Sequence, residues 1–399
     1  MLSVTRRLVL LAATVFVASW AGAAAPARIA GTVFLDANAN GRRDPGEPGV
    51  AGARVSDQAE TVVSGPEGAW AIAASRGHGV VFVGAPSGYR ARPPFWRAQP
   101  AEGGGALDFA LERQAPVSEF WFVHASDTHA SPASVDRIRA LRALVEERRP
   151  AFVLVTGDLV KDALRVGEVE AASYFDLYVG ETARFPVPVW SVPGNHDTFG
   201  IERERSGVDG SHPLYGKRMY RQRLGPNYYS FDHGGVHFVA LDTVDVDDQW
   251  YYGHVDPAQL AWLESDLAAV APGTPVVTFN HIPLVSAVEP LAGYRDDPPA
   301  PTLIRVGDKT QFRHVVSNVG EVLARFGRHA LVLALGGHMH ARESIRYEAE
   351  GSRIRFEQAA AVVGPSEAGT LRMRSGVTLY RVQDGGIDGG TFLPLDAKR

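Results

Sequence analysis

The residues of this chain that could do chemistry fall in five short clusters, each following a β-branched or aromatic run. Ser126-Asp127-Thr128-His129 follows the run 120–123, and Thr156-Gly157-Asp158 follows 152–155. Pro193-Gly194-Asn195-His196-Asp197 follows 187–192, and Asn280-His281 follows 276–279. Leu335-Gly336-Gly337-His338-Met339-His340 comes straight after the apolar run 330–334. Carboxylate, amide and imidazole groups are the ones that suit divalent transition metals. Two histidines two residues apart past a buried strand can reach one point in space. Parallel strands of a βαβ array carry their functional loops at their carboxyl ends. Five loops are therefore expected to deliver these groups to one edge of one sheet, as a metal site for two ions. Taken singly, Asp158 after a glycine reads as a turn former and His281 as a satisfied core histidine. The set carries the metal reading.

The elements that must position the clusters alternate strand and helix. Val135, Ile138, Leu141, Leu144 and Val145 give an amphipathic helix after the first cluster, and further helices are expected over 168–182, 257–270 and 311–326. Two long connections, 198–227 and 283–310, start just past metal-type residues and are expected to form the rim of the site. Arg203, Arg205, Lys217, Arg218, Arg221 and Arg223 cluster in the first connection and read as a solvated loop. His124 reads as structural. His233, His237 and His254 have no motif around them, and His237 reads as packed in a strand. The tail, roughly 342–395, returns to short strands.

The first quarter of the chain is of another kind. Arg6-Arg7, the apolar run 8–20 and small residues around Ala23 and Ala25 read as a signal peptide over 1–25. The run is short for a membrane span, which needs about 20 apolar residues, so export and release, to periplasm or medium, is expected. Residues 26–113 read as an all-β sandwich, with strands at 29–35, 53–56, 61–63, 70–73, 80–83 and 107–111 and an irregular stretch at 86–106. Within it the twelve residues 36–47 fit a calcium loop. Asp36, Asn38, Asn40 and Asp44 stand at positions 1, 3, 5 and 9, Arg42 at the carbonyl position 7, Gly41 at 6 and Glu47 at 12. The other reading of this loop is a polar hairpin held by Asx turns without metal. A boundary at 114–116 leaves 117–399 for the metal-bearing domain.

The 399 residues carry a net charge of −5, so no basic field favours a polynucleotide. There is no cysteine, which excludes disulfides, thiolate metal sites and a cysteine nucleophile.

The five clusters, in this order, resemble the calcineurin-like metallophosphoesterase superfamily over residues 119 to about 345. The stretch 225–232, the strand 236–242 and Gln259-Leu260-Ala261-Trp262-Leu263 are also similar to that family's. The resemblance implies an α/β fold, a four-layer α/β/β/α sandwich, here preceded by the small all-β domain. It implies that Asp127, His129 and His340 hold one metal, that Asn195, His281 and His338 hold the other, and that Asp158 bridges them. The ions implied are two of Mn, Fe, Zn or Ni, with calcium a further candidate at 36–47. His196 would contact the phosphate and protonate the leaving oxygen, with Asp197 orienting its ring. Purple acid phosphatases of the superfamily have Gly where His129 stands and a metal-bound Tyr where Lys161 stands, so the iron–tyrosinate pair is not expected.

The function implied is hydrolysis of a small phosphomono- or phosphodiester by a metal-bridging hydroxide. Two alternatives stand beside it. One is a nucleotide phosphodiesterase or nuclease, and the other a calcium-dependent envelope binding protein whose second domain is inactive.

Overall fold

Two six-stranded sheets carry the chain from Glu119 onward. The first runs Val189–Val192, Phe152–Thr156, Glu119–Ala125, Gly376–Gln383 and Gly386–Ile387, with Thr391–Pro394 also paired to Gly376–Gln383. Its first three strands are parallel and Gly376–Gln383 is antiparallel to them. The second runs Tyr229–His233, Val236–Leu241, Pro275–Asn280, Ala330–Gly336, Ser352–Gln358 and Glu343–Ala349. Its four inner strands are parallel and its two edge strands antiparallel. This computed structural model describes residues 28–73, 77–99, 105–294, 301–349, 351–368 and 371–395. The segment read as a signal peptide lies outside the described residues.

The sheets face one another across an aromatic core. Phe122 stacks on Phe152 and Tyr380 within the first sheet, Phe231 stacks on Phe238 within the second, and Phe152 meets Phe231 edge-on at 5.4 Å. Such pairs contribute about 0.5–1.5 kcal/mol each beyond the area they bury. Helices cover the outer faces. Val135–Arg148 buries Val135, Ile138, Leu141 and Val145 against the first sheet, where Glu168–Thr182 also packs. Pro257–Ala268 and Val319–Phe326 cover the second. The former starts cleanly because Asp256 accepts the backbone N–H groups of Ala258 and Gln259 and Pro257 needs no donor. The order is helix, sheet, sheet, helix.

The helix expected over 311–326 is a hairpin and a shorter helix. Leu303–Val306 pairs with Lys309–Phe312, and helix begins only at Val319. The stretch 86–106, read as irregular, holds two short strands, Tyr89–Ala91 and Trp96–Ala98, each completing the edge of a sheet. The basic cluster after Thr198 is tied down by ion pairs: Arg203 bonds Asp248, and Lys217 reaches Asp242 at 2.5 Å.

Ahead of Glu119, two four-stranded sheets enclose Val33, Val55, Trp70, Ile72, Val81, Phe109 and Leu111. This β unit is not a free-standing bead. Phe82 packs against Tyr229 and Trp262, and Phe95 against Trp190 and Tyr229. Tyr228 Oη donates to the Gln58 carbonyl at 2.7 Å, and Gln58 Nε2 donates back to the Tyr228 carbonyl at 2.9 Å. Arg54 crosses the boundary to Asp232 at 2.8 Å and Asp266 at 3.4 Å. His237, expected to be ordinary packing, is clamped between those same carboxylates at 2.7 and 3.0 Å. Burial opposes its charge, but bonds to both carboxylates outweigh that and raise its pKa.

Candidate metal centre

Every cluster singled out in the sequence follows a strand directly, and the strand ends decide where its side chains meet. Asp127 and His129 follow Glu119–Ala125, Asp158 follows Phe152–Thr156, and Asn195 and His196 follow Val189–Val192, all in the first sheet. His281 follows Pro275–Asn280, and His338 and His340 follow Ala330–Gly336, in the second. The site thus bridges the edges of two sheets and does not lie on one, as the strand pattern had suggested. Strand-then-loop periodicity cannot tell which sheet a strand joins.

The local backbone is bent to make this convergence. Asp127, His129, Asp158, His338 and His340 all have φ between 41° and 71°, and they are half of the ten described non-glycine residues with positive φ. Left-handed geometry at such residues costs of order 1 kcal/mol each and persists only where the surroundings impose it. The glycines around them are there for room. A Cβ on Gly194 would lie 2.2 Å from the Asp158 backbone nitrogen and Oδ1, and one on Gly157 would lie 2.5 Å from the His281 ring.

Two groups of ligand atoms result, each drawn within 4.8 Å: Asp127, His129, Asp158 and His340, and Asp158, His281 and His338. Asp158 belongs to both. His340 Nε2 lies 3.2 Å from Asp127 Oδ1 and 3.2 Å from His129 Nε2. His281 Nε2 lies 3.2 Å from Asp158 Oδ1, 3.1 Å from Asn195 Oδ1 and 3.1 Å from His338 Nδ1. Asp127 Oδ1 is buried with no hydrogen-bond partner although imidazole nitrogen is near. A buried, orphaned carboxylate oxygen among convergent imidazoles suits a cation. The residues present therefore fit two divalent ions: the amide of Asn195 and the rings of His281 and His338 for one, Asp127, His129 and His340 for the other, and Asp158 between them.

Charge states agree with this. Burial would raise the Asp158 pKa, yet the His281 and His196 charges hold it well below the usual carboxylate range; against burial, His340 lowers that of Asp127. Burial and its histidine neighbours push His338 well down, whereas the Asp158 carboxylate lifts His281 to about 9 against burial. His281 thus carries a proton that a metal ion has to displace.

Backbone carbonyls fix three of the rings. His281 Nδ1 lies 2.7 Å from the Thr156 carbonyl, and His196 Nδ1 and His129 Nδ1 lie 2.9 and 3.4 Å from the Lys161 carbonyl. Each arrangement puts N–H on Nδ1 and leaves Nε2 toward the centre, with His196 Nε2 4.0 Å from Asp158. The expectation that Asp197 orients His196 is corrected. Its carboxylate is buried and accepts the backbone N–H groups of Gly194, Leu159 and Val160 at 2.7, 3.1 and 3.0 Å. It pins two ligand loops to each other, and the carboxylate that faces the His196 ring is Asp162, at 3.7 Å. Asp162 and His314, which lines the cleft beyond His338, were not singled out in the sequence, and Lys161 was named there only for its side chain. A carbonyl has no residue signature, and His314 sits alone in the stretch expected as the helix 311–326.

The cleft over the centre holds about 300 Å³ and is walled by Tyr251, Val288, Glu289, Thr302 and His314 besides the ligands. The last four come from the second long connection or just past it. Of the first connection, read as the other half of the rim, no residue lines this cleft.

The 36–47 loop is built differently. Asp36 accepts the backbone N–H groups of Asn40 and Gly41, and Glu47 those of Ala37 and Asp44. Asp44 takes the side-chain amides of Asn38 and Asn40, and Asn40 Oδ1 takes the Arg42 N–H. Among the described residues, both convergent ligand groups lie at the sheet edges and none in this loop.

Fold and centre together place two convergent groups of His and Asp ligand atoms at the edges of paired sheets. Residues 120–342 match the model of the calcineurin-like phosphoesterases, and the chain belongs to that family. It is 27% identical over 239 residues to a probable cyclic nucleotide phosphodiesterase of Rhodococcus erythropolis, covering 56% of this chain and 66% of that one. Among solved structures it is similar to a dimetal phosphatase from Danio rerio, with 16% identity, a TM-score of 0.42 and coverage of 71% of this chain and 100% of that one. It is also similar to PhoD, with 11% identity, a TM-score of 0.46 and coverage of 88% and 83%.

Proposed function

We propose that this chain is an exported phosphoester hydrolase with two divalent transition metals, acting on a small phosphodiester. The observation that carries the reading is the sharing of Asp158 between two convergent ligand groups. When bound, two such ions neutralise phosphoryl charge and acidify water at neutral pH. The protein's own part is to hold seven ligand side chains in strained loops and to present His196. With Nδ1 directed at the Lys161 carbonyl, the His196 ring presents Nε2 to the substrate and, as general acid, donates a proton from there to the departing oxygen.

A diester is preferred because the curated relative bears the name of a cyclic nucleotide phosphodiesterase, and a cleft of about 300 Å³ suits a small ligand. The complete ligand set argues against an inactive domain. The leader-like sequence before residue 26 supports export, and N-terminal mass analysis of protein from the native envelope tests it: an intact Met1 would refute it. A calcium ion at 36–47 has the residue pattern in its favour and the bonding within the loop against it. The activity is tested by assaying the manganese-reconstituted chain on bis-aryl phosphate, mono-aryl phosphate and cyclic nucleotides. Faster turnover of the diesters is expected. Turnover of the monoester alone would overturn the substrate class, and turnover of none would overturn the enzyme reading.

A further inference from the structure

Among the metal-site rings, His338 has another histidine, and not a backbone carbonyl, on its far nitrogen. His338 points Nδ1 at His281 Nε2, 3.1 Å away, and so at the second ligand group. Its Nε2 lies 2.6 Å from Nδ1 of His314, and the two rings stack at 4.9 Å with 23° between planes. His338 is the reverse of His281, His196 and His129, whose Nδ1 atoms face carbonyls and whose Nε2 atoms face the centre. Used as a ligand through Nδ1, it must carry its proton on Nε2, and the acceptor there is His314.

We propose that His314 is a positioning residue for the second metal, accepting the His338 Nε2–H and so holding His338 with Nδ1 toward His281 and Asn195. This rests on the two-metal reading above. An imidazole can bind a metal through either nitrogen, and the hydrogen bond on the far nitrogen decides which. Without an acceptor, the Nδ1–H tautomer of His338 competes and presents the wrong atom.

The chain around His314 is built to hold it. Arg313 N–H donates to the Thr302 carbonyl at 2.9 Å, Val316 N–H to the Pro283 carbonyl at 3.0 Å, and Ser317 N–H to the Gly253 carbonyl at 2.8 Å. The Arg313 guanidinium is buried against the Tyr251 ring at 4.3 Å and the Trp250 ring at 5.0 Å. A Cβ on Gly253 would lie 2.1 Å from the Val315 carbonyl oxygen, so the hairpin formed by Val244–Asp247 and Trp250–Gly253 leaves room for this segment alone. Pro283 is two residues from the ligand His281. The segment is thereby clamped between one ligand loop and the hairpin that roofs the cleft.

The test is titration of metal-free full-length protein with Mn²⁺, read by bound manganese per chain and by the spin-coupled signal of a manganese pair. Wild type is expected to take two ions. His314→Ala and His314→Phe are expected to keep the first site and weaken the second about 10–100-fold, the usual loss when the partner of a metal-bound histidine is removed. Phe keeps a stacked ring but offers no acceptor. His314→Asn places an oxygen near the old Nδ1 position and is expected to restore the second ion to within a few-fold of wild type. Wild-type second-site affinity in either His314→Ala or His314→Phe would overturn the proposal. So would an Asn variant as weak as Ala when all melt like wild type. A wild-type chain that takes fewer than two ions overturns the metal-centre reading, and this one with it, and is recognised before any variant is made.

Discussion

Two polar constellations on this chain look alike in sequence and are opposite in build. The 36–47 loop packs five oxygen-bearing side chains into twelve residues, and its carboxylates spend their lone pairs on the loop's own N–H and amide groups. The sheet-edge centre gathers its groups from five loops up to 213 residues apart and leaves Asp127 Oδ1 with no hydrogen bond at all. A local motif can satisfy itself by forming turns, because its donors lie only two to ten residues away. A constellation held on separate strands cannot, since the scaffold keeps its members apart from their own backbones. Unspent ligand atoms under enforced strain are what distinguish a site from a turn.

The contrast breaks first at Asp158. Asp158→Asn is expected to lose both metal stoichiometry and turnover to background, because an amide cannot supply the second anionic oxygen to two ions. Elemental analysis together with a bis-aryl phosphate assay checks it, and an Asn variant with full metal and near-normal rate would remove the shared-ligand account. His196→Ala is expected to keep both metals and to lose about 10²–10⁴-fold in rate, the range for general-acid catalysis. That loss should shrink for esters whose leaving groups need no proton. An equal loss for all leaving groups would assign His196 to charge stabilisation.

Smaller effects are expected at the loop, and in the full chain, because the β unit buries Phe82 and Phe95 against its neighbour. Asp36→Ala strands two backbone donors and is expected to cost about 1–3 kcal/mol, equally with and without calcium. Calcium itself, at a concentration equal to its Kd, would add only about 0.4 kcal/mol. Thermal melts with and without the ion separate these, and a destabilisation seen only in calcium would show that the loop resembles the centre after all.

A pH series sharpens the same contrast. His281 is raised to about 9 in the metal-free fold by its pairing with Asp158. A raised pKa contributes stability that is full below the unfolded value, about 6.5, and that is lost as pH climbs through 9. The metal-free chain is therefore expected to lose stability over that window, and the metal-loaded chain, whose His281 has already shed its proton, is not.

Much of this was legible in the sequence because the residue types that converge here fell one to four residues past recognisable strands. Asp127, Asp158, Asn195, His281, His338 and His340 needed no more than that. Asp197 was misassigned because adjacency to His196 in the chain suggested contact, whereas the turn sends its carboxylate inward to three N–H groups. The division of the five loops between two sheets was hidden, since pairing partners leave no mark on periodicity. His314 was invisible for a related reason: its partner stands 24 residues away, beyond a helix and a strand. His237 showed only its strand, not the Asp266 and Arg54 brought to it from other elements.

The most direct measurement is the metal content of the wild-type chain after complete stripping and reconstitution with Mn²⁺, followed alongside hydrolysis of a bis-aryl phosphate. Two ions per chain are expected, with activity appearing as the second ion binds and the 36–47 loop contributing none to the count. One ion with full activity, or activity that survives stripping, would contradict the shared role of Asp158.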